Sequence, residues 1–255
     1  MTMPKIPFPK KVVQRDVAEQ ELAILEHTYP QAVTALHYTN PFELLVSVIL
    51  SAQTTDARVN LTTPALFEKY PNPQALAKAK LADVEHLVKS TGFFRMKAKN
   101  IISAAKDLVD KFGGEVPNDR DALQSLAGVG RKTASVVMSV AFEDAAFAVD
   151  THVFRVSHRL GLTTATTPLG VEQDVTALVP REKWRFAHHW LILHGREICK
   201  APTPLCGQCP VSKICPTPPI IAKLRTITAA GRIRPNAKAA ATRRPARAAS
   251  TKKKR

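Results

Sequence analysis

Residues 121–150, DALQSLAGVGRKTASVVMSVAFEDAAFAVD, constrain this chain more than any other stretch. Leu123 and Leu126 fall at helical spacing, and Ala134 to Phe142 is apolar and long enough for a buried helix. Gly128-Val129-Gly130 separates the two segments. Two glycines permit a sharp turn and leave backbone N–H groups unshielded by side chains. Such a turn, running into a helix N-terminus, forms a concavity suited to phosphate. No segment of the chain shows sustained period-two alternation, and no fixed-period repeat is present, so the reading is all-α.

Lys132 falls in the first turn of the second predicted helix, directly after Arg131. A cation is disfavoured there, because the helix dipole is positive at that end. A local rule broken at one point invites a functional reading. An exposed lysine tolerated at small cost, or a plain phosphate contact, is the other reading, and position alone leaves both open. A Walker A motif is excluded, since its lysine follows a glycine and Lys132 follows Arg131. Asp150 ends the apolar run AFAV, and Val153, Val156 and Leu160 repeat after it at helical spacing. Asp150 or Thr151 is therefore a candidate N-cap. A lysine and an aspartate, each at a helix start, could also face one cleft.

Hydrophobic residues make up 45% of the 255, enough for a real core, and no apolar run approaches the ~18 residues of a membrane span. The N-terminus is basic but lacks an apolar signal core, which predicts a cytoplasmic protein. Formal net charge is +16, and residues 217–255 hold twelve Lys or Arg and no acid, so removing that tail leaves only +4. The tail is rich in Ala, Pro, Arg and Lys, which predicts disorder. Its expected use is salt-sensitive attraction to DNA phosphate. A purely solubilising tail is the alternative.

Further helices are expected over 16–29, from Asn40-Pro41-Phe42-Glu43 through Leu50, over 76–88, 101–112, 171–179 and 186–198. The helix opened by Asn40 is apolar nearly all round and should lie at the centre of a helical domain. It ends at Ser51-Ala52-Gln53, after which Thr54 or Thr55 can cap the next helix. His188, His189 and His194 do not make the i, i+4 pair of a zincin helix and read as packing and hydrogen-bonding residues.

All four cysteines lie within 199–215, spaced C-x₆-C-x₂-C-x₅-C. Their confinement to one short loop argues against disulfides. Four thiolates in so small a loop suit either tetrahedral zinc or an iron–sulfur cluster.

LAGVGRKTASVV followed by AVDTHVFRV resembles the helix-hairpin-helix and catalytic aspartate of the endonuclease III family of DNA glycosylases. LLVSVILSAQTTD (44–56), GFFRMKAKNI (92–101), HHWLILHGREIC (188–199) and the cysteine loop match in the same order, from about Gln14 to Pro216. The resemblance implies a six-helix barrel domain over 34–144, with its hairpin at about 121–142. It also implies an iron–sulfur domain built from 1–33 plus 145–216, with 217–255 left as the disordered basic tail. A [4Fe–4S] cluster on Cys199, Cys206, Cys209 and Cys215 follows from it.

The implied function is a bifunctional glycosylase and abasic-site lyase, acting as a monomer on double-stranded DNA with oxidised pyrimidines or abasic sites. Lys132 would be the nucleophile and Asp150 the catalytic carboxylate, on opposite sides of a cleft. The helix N-terminus and Arg131 would both disfavour the charged form of Lys132. Gln53 would fill the gap left by the extruded nucleotide, and Phe93 would stand where the family places a wedge that is usually Leu. Gly128, Gly130, Arg131, Thr133, His152 and Lys200 complete the implied DNA contacts. Between the first two cysteines only Lys200 is basic, fewer than the family uses there. Alternatives are a monofunctional glycosylase of the same superfamily and a non-catalytic DNA-binding module. No protein partner and no membrane association are implied.

Overall fold

A computed structural model describes residues 6–232, and among them there are twelve α-helices and no strand. In chain order these are α1 (Arg15–Thr28), α2 (Pro41–Ser51), α3 (Asp56–Lys69), α4 (Pro73–Ala77), α5 (Leu81–Leu87) and α6 (Phe94–Phe112). They continue with α7 (Arg120–Ser125), α8 (Arg131–Ala141), α9 (Thr151–Leu160), α10 (Pro168–Thr176), α11 (Trp184–Glu197) and α12 (Thr217–Arg232). No helix of the described residues is long and apolar enough to cross a membrane.

Local chemistry sets many of the helix starts. Asn40 accepts the Glu43 amide at 3.0 Å while Pro41 takes the first helical position, and Glu43 reaches back to the Thr39 amide at 2.7 Å. Thr55, Asp119 and Thr167 likewise cap α3, α7 and α10. Between Phe42 and Leu50 every residue but Glu43 is buried, so α2 is the central helix its composition predicts.

Two hydrophobic cores result. The first is built on α2–α8 around Leu44, Leu50, Leu66, Ile101, Leu108 and Leu123. The second joins α1 to α9, α10 and α11 around Leu25, Val156, Val171 and Leu191. Residues 145–149, which belong to no helix, run between the two. Ala146 and Ala148 pack into the first core, Phe147 and Val149 against the second. The alternation lets these four residues serve two cores.

Three expectations are corrected. The predicted helix 76–88 is two helices, α4 and α5, with a turn at Lys78–Lys80 closed by the Ala79 amide on the Leu76 carbonyl. The helix-forming AKAK run yields there to the separate packing of Leu76 and Val84, both fully buried. The predicted helix 101–112 begins at Phe94, because Arg95 and Lys99 occupy its exposed face while Lys97, Ala98 and Ile101 point inward. The sequence predicts disorder from Thr217 on, and that stretch is not disordered from its start. The stretch 217–232 is helical, started by Thr217 with its hydroxyl on the Arg159 carbonyl at 2.5 Å and seated through Ile221. The rest of that tail, 233–255, lies outside the described residues.

Phe147 is 1% exposed and the largest fully buried side chain. Phe147→Ala is expected to destabilise the protein by about 3–5 kcal/mol, read as a lower urea midpoint with an unchanged slope.

Candidate active site between the two cores

The hairpin is α7, the Gly128-Val129-Gly130 turn and α8. Gly128 has φ +79°, and a Cβ there would come within 2.8 Å of the Asn100 side-chain nitrogen. Glycine is needed at that position for both reasons. Gly130 is different: its φ of −91° is ordinary, an added Cβ would meet nothing, and it serves as the N-cap of α8. The first-turn amides of α8 thus open towards solvent beside Lys132, with Arg131 exposed and Thr133 half-buried.

Lys132 and Asp150 line the same cavity of about 80 Å³, with Ser51, Asp56, His189 and Arg196 around them and Val136 and Ile192 as apolar wall. The cavity lies where α2, α3 and α8 of the first core face α11 and the start of α9. Asp150 is the N-cap of α9. Its Oδ1 accepts the amides of His152 and Val153, both at 2.8 Å, leaving Oδ2 out of the cap. The capping role and the cleft-facing role are therefore compatible.

The Lys132 side chain is reached by solvent yet crowded by the cleft walls. That desolvation lowers its pKa below the usual lysine value. Asp150 and Asp56 oppose the shift, and Arg196 adds to it. Arg131 does not act as the sequence suggests. Its guanidinium turns away and forms a two-pronged bond to Glu172, at 2.9 and 2.8 Å, which Arg120 also joins at 3.0 Å. The cation that influences Lys132 is Arg196, itself paired with Asp56 at 2.8 Å. His189 is pushed down to about 4 by burial, then by Lys132 and Arg196, so it is neutral at pH 7. His188 is fully buried against Phe147. His194 packs and hydrogen-bonds to Tyr29 as read, whereas His189 and the buried His188 beside it both line the site itself.

Gln53 and Phe93 lie apart from this cavity, on two neighbouring loops. Both are exposed and both have left-handed backbone, φ 53° and 56°. For residues with a Cβ this costs roughly 1–2 kcal/mol each. His152 is half-buried, with Nδ1 3.2 Å from the Arg155 guanidinium. Lys200 is exposed.

None of the four cysteines forms a disulfide. Together they line one small cavity of about 20 Å³, with Arg159, Leu205 and Pro218 in its wall. Arg159 is 3% exposed and organises this loop, donating to the carbonyls of Lys200 and Ala201, each at 2.7 Å, and to Cys199 Sγ at 3.5 Å. Burial, aided by neighbouring thiolates, pushes the Cys209 thiol up to about 11 and the Cys215 thiol up to about 12. Four thiols so placed need a cationic group among them to ionise together. Among the described residues, no three His, Cys, Asp or Glu converge closely enough to hold one metal ion.

Sequence reasoning missed Asp56, Arg196 and His189. Asp56 ends one quoted motif and Arg196 lies inside another, but 140 residues separate them and no local pattern joins them. The carboxylates and Arg196 should tune Lys132 in opposite senses. Asp150→Asn is expected to lower the Lys132 pKa further and Arg196→Gln to raise it. A ¹³C-dimethyl-lysine NMR titration reads both.

A family model for the HhH-GPD superfamily base excision DNA repair protein matches residues 46–181. Endonuclease III of Synechocystis sp. is 48% identical over 82% of this chain and 95% of its own length. Endonuclease III of Escherichia coli is 42% identical over 76% of this chain and 92% of its own length. Among solved structures, a trapped endonuclease III–DNA covalent intermediate superposes with TM-score 0.79 at 44% identity, covering 84% of this chain and 99% of that one.

Proposed function

The chain belongs to the endonuclease III family within the HhH-GPD superfamily, and from that membership we propose that Lys132 and Asp150 carry out base excision and strand cleavage at oxidised pyrimidines. It is a DNA glycosylase and abasic-site lyase of base excision repair. The observation that carries the residue assignment is the single cavity lined by both side chains.

A base within a duplex is out of reach, so the damaged nucleotide is flipped into the cleft, at least cost where damage has weakened stacking or pairing. Gln53 and Phe93 hold the opened duplex, while backbone amides around Gly128 and Gly130, with Thr133, His152 and Lys200, grip the phosphates. Arg131 acts from its ion pair with Glu172 at the edge of this surface. The neutral amine of Lys132 attacks C1′, and the C1′–N bond breaks with its electron pair leaving on the base, which takes up a proton. A lysine at a reference pKa of about 10.4 is neutral only about once in 2,500 molecules at pH 7. Crowding by the cleft walls and Arg196 increase that fraction. The Asp150 carboxylate stabilises cationic character at C1′, as carboxylates do in glycoside hydrolysis. Opening of the sugar ring gives a Schiff base. Loss of the adjacent C2′ proton then expels the 3′ phosphate and cuts the strand.

Cys199, Cys206, Cys209 and Cys215 would hold a [4Fe–4S] cluster. All four thiols line one small cavity, which supports the reading that a single group is held by all of them, and the family membership favours the cluster. When bound, the cluster supplies the charge that lets the thiols ionise and cross-links a loop with little apolar mass of its own. The two buried cores support a division into 34–144 and 1–33 plus 145–216, with Ala146 and Ala148 crossing back into the first core and the DNA cleft between the two. The protein is expected to work as a monomer in the nucleoid.

Borohydride trapping on duplexes with thymine glycol or an abasic site tests the assignment. A covalent adduct is expected with the wild type and none with Lys132→Gln, and strand cleavage by Lys132→Gln at near-wild-type rate would remove Lys132 from the mechanism. Base release from the glycol duplex with no adduct would identify a monofunctional enzyme. Cys206→Ser is expected to lower iron per chain and the visible absorbance of the purified protein.

A further inference from the structure

Lys97 lies in the first turn of α6 and is 5% exposed, an unusual place for an ammonium. Its Nζ donates to the Leu50 carbonyl at 2.7 Å and to Thr54 Oγ1 at 2.8 Å. Leu50 belongs to the last turn of α2, where carbonyls lack helical partners and the dipole favours a cation. The Thr54 amide, which would otherwise reach Leu50, bonds Ser51 instead. Thr54 Oγ1 also accepts the Gly92 amide at 3.2 Å. Gly92 in turn presses on the neighbouring loop, since a Cβ there would stand 3.3 Å from the Gln53 carbonyl.

One ammonium and one hydroxyl thus clasp two loops that are adjacent in space but about forty residues apart in the chain. Immediately beside the clasp on each loop stands a left-handed, exposed residue: Gln53 before Thr54, Phe93 after Gly92. Phe93 is 69% exposed, so burial does not hold it in that conformation. The constraint comes from its base, where the clasp lies.

We propose that Lys97 is a positioning residue for DNA opening, holding the Gln53 and Phe93 tips at a fixed separation so that both enter one disrupted base-pair step. This rests on the reading that those two tips enter the duplex. A flexible pair of loops would have to be ordered during each encounter, and the clasp makes that ordering part of the fold. The role differs from simple capping of α2, because it predicts a loss confined to substrates that must be opened.

The test compares wild type with Lys97→Met, Thr54→Val, Gln53→Ala and Phe93→Ala. Thr54→Val removes the shared acceptor while leaving the Lys97 bond to Leu50, so it decides the matter if Lys97→Met shows no cooperative melting. Each protein is assayed for single-turnover release of thymine glycol and for the fluorescence of 2-aminopurine placed beside the lesion. A second duplex carries the lesion opposite an abasic spacer, where opening is cheap. Lys97→Met is expected to slow release about tenfold on the paired duplex, a barrier increase of about 1.4 kcal/mol, with loss of the fluorescence rise. On the spacer duplex it should recover to near wild type, and Thr54→Val should show a smaller loss of the same pattern. Equal losses on both duplexes, or no loss while Gln53→Ala and Phe93→Ala are slowed, would overturn the clasp alone. Wild-type behaviour of Gln53→Ala and Phe93→Ala would overturn the reading of the tips, and the clasp with it.

Discussion

The carboxylate of Asp150 accepts two backbone amides through one oxygen, and much of the molecule is arranged around that contact. The cap starts α9 and contributes on the order of 1 kcal/mol to it. It also fixes where the remaining oxygen stands in the cleft. Further along the same helix, Arg155 and Arg159 reach the Cys199 carbonyl and the residues after it. At its end, the Gly161 carbonyl accepts the Val13 amide. A single helix therefore links the cleft, the cysteine loop and the N-terminal segment.

The cleft holds opposite charges around Lys132. Asp56 and Asp150 favour the ammonium, and crowding with Arg196 favours the amine. The net direction is downward, so desolvation wins. Asp56 begins α3 of the first core and Arg196 ends α11 of the second, so their ion pair also spans the cleft. Glu172 of α10 ties Arg120 and Arg131 of the hairpin in the same way. These pairs are partly exposed and worth little singly in water. Their service is to set how the two cores face each other.

Charge was the least readable property in sequence. Arg131 follows the hairpin turn and reads as a neighbour of Lys132, yet a residue 41 positions away claims it. Within the quoted GFFRMKAKNI motif Lys97 stands between Arg95 and Lys99 with nothing local to distinguish it, and it proves to be the buried one of the three. Helix boundaries failed where a propensity-rich run, AKAK, was divided by the separate burial of Leu76 and Val84. They also failed where a basic stretch was the solvent face of α6.

By itself the sequence determined the all-helical class, the starts of α2, α3 and α9, the hairpin turn and the clustering of four cysteines. Each of these rests on hydrogen bonds or ligands supplied within a few residues, so a local pattern carries the information. Only tertiary structure decided that Asp56 meets Arg196, that Glu172 takes Arg131, and that Lys97 joins the two exposed loops. Those partners are chosen by how helices from distant parts of the chain pack. Packing depends on the shape and burial of whole faces, which no short motif encodes.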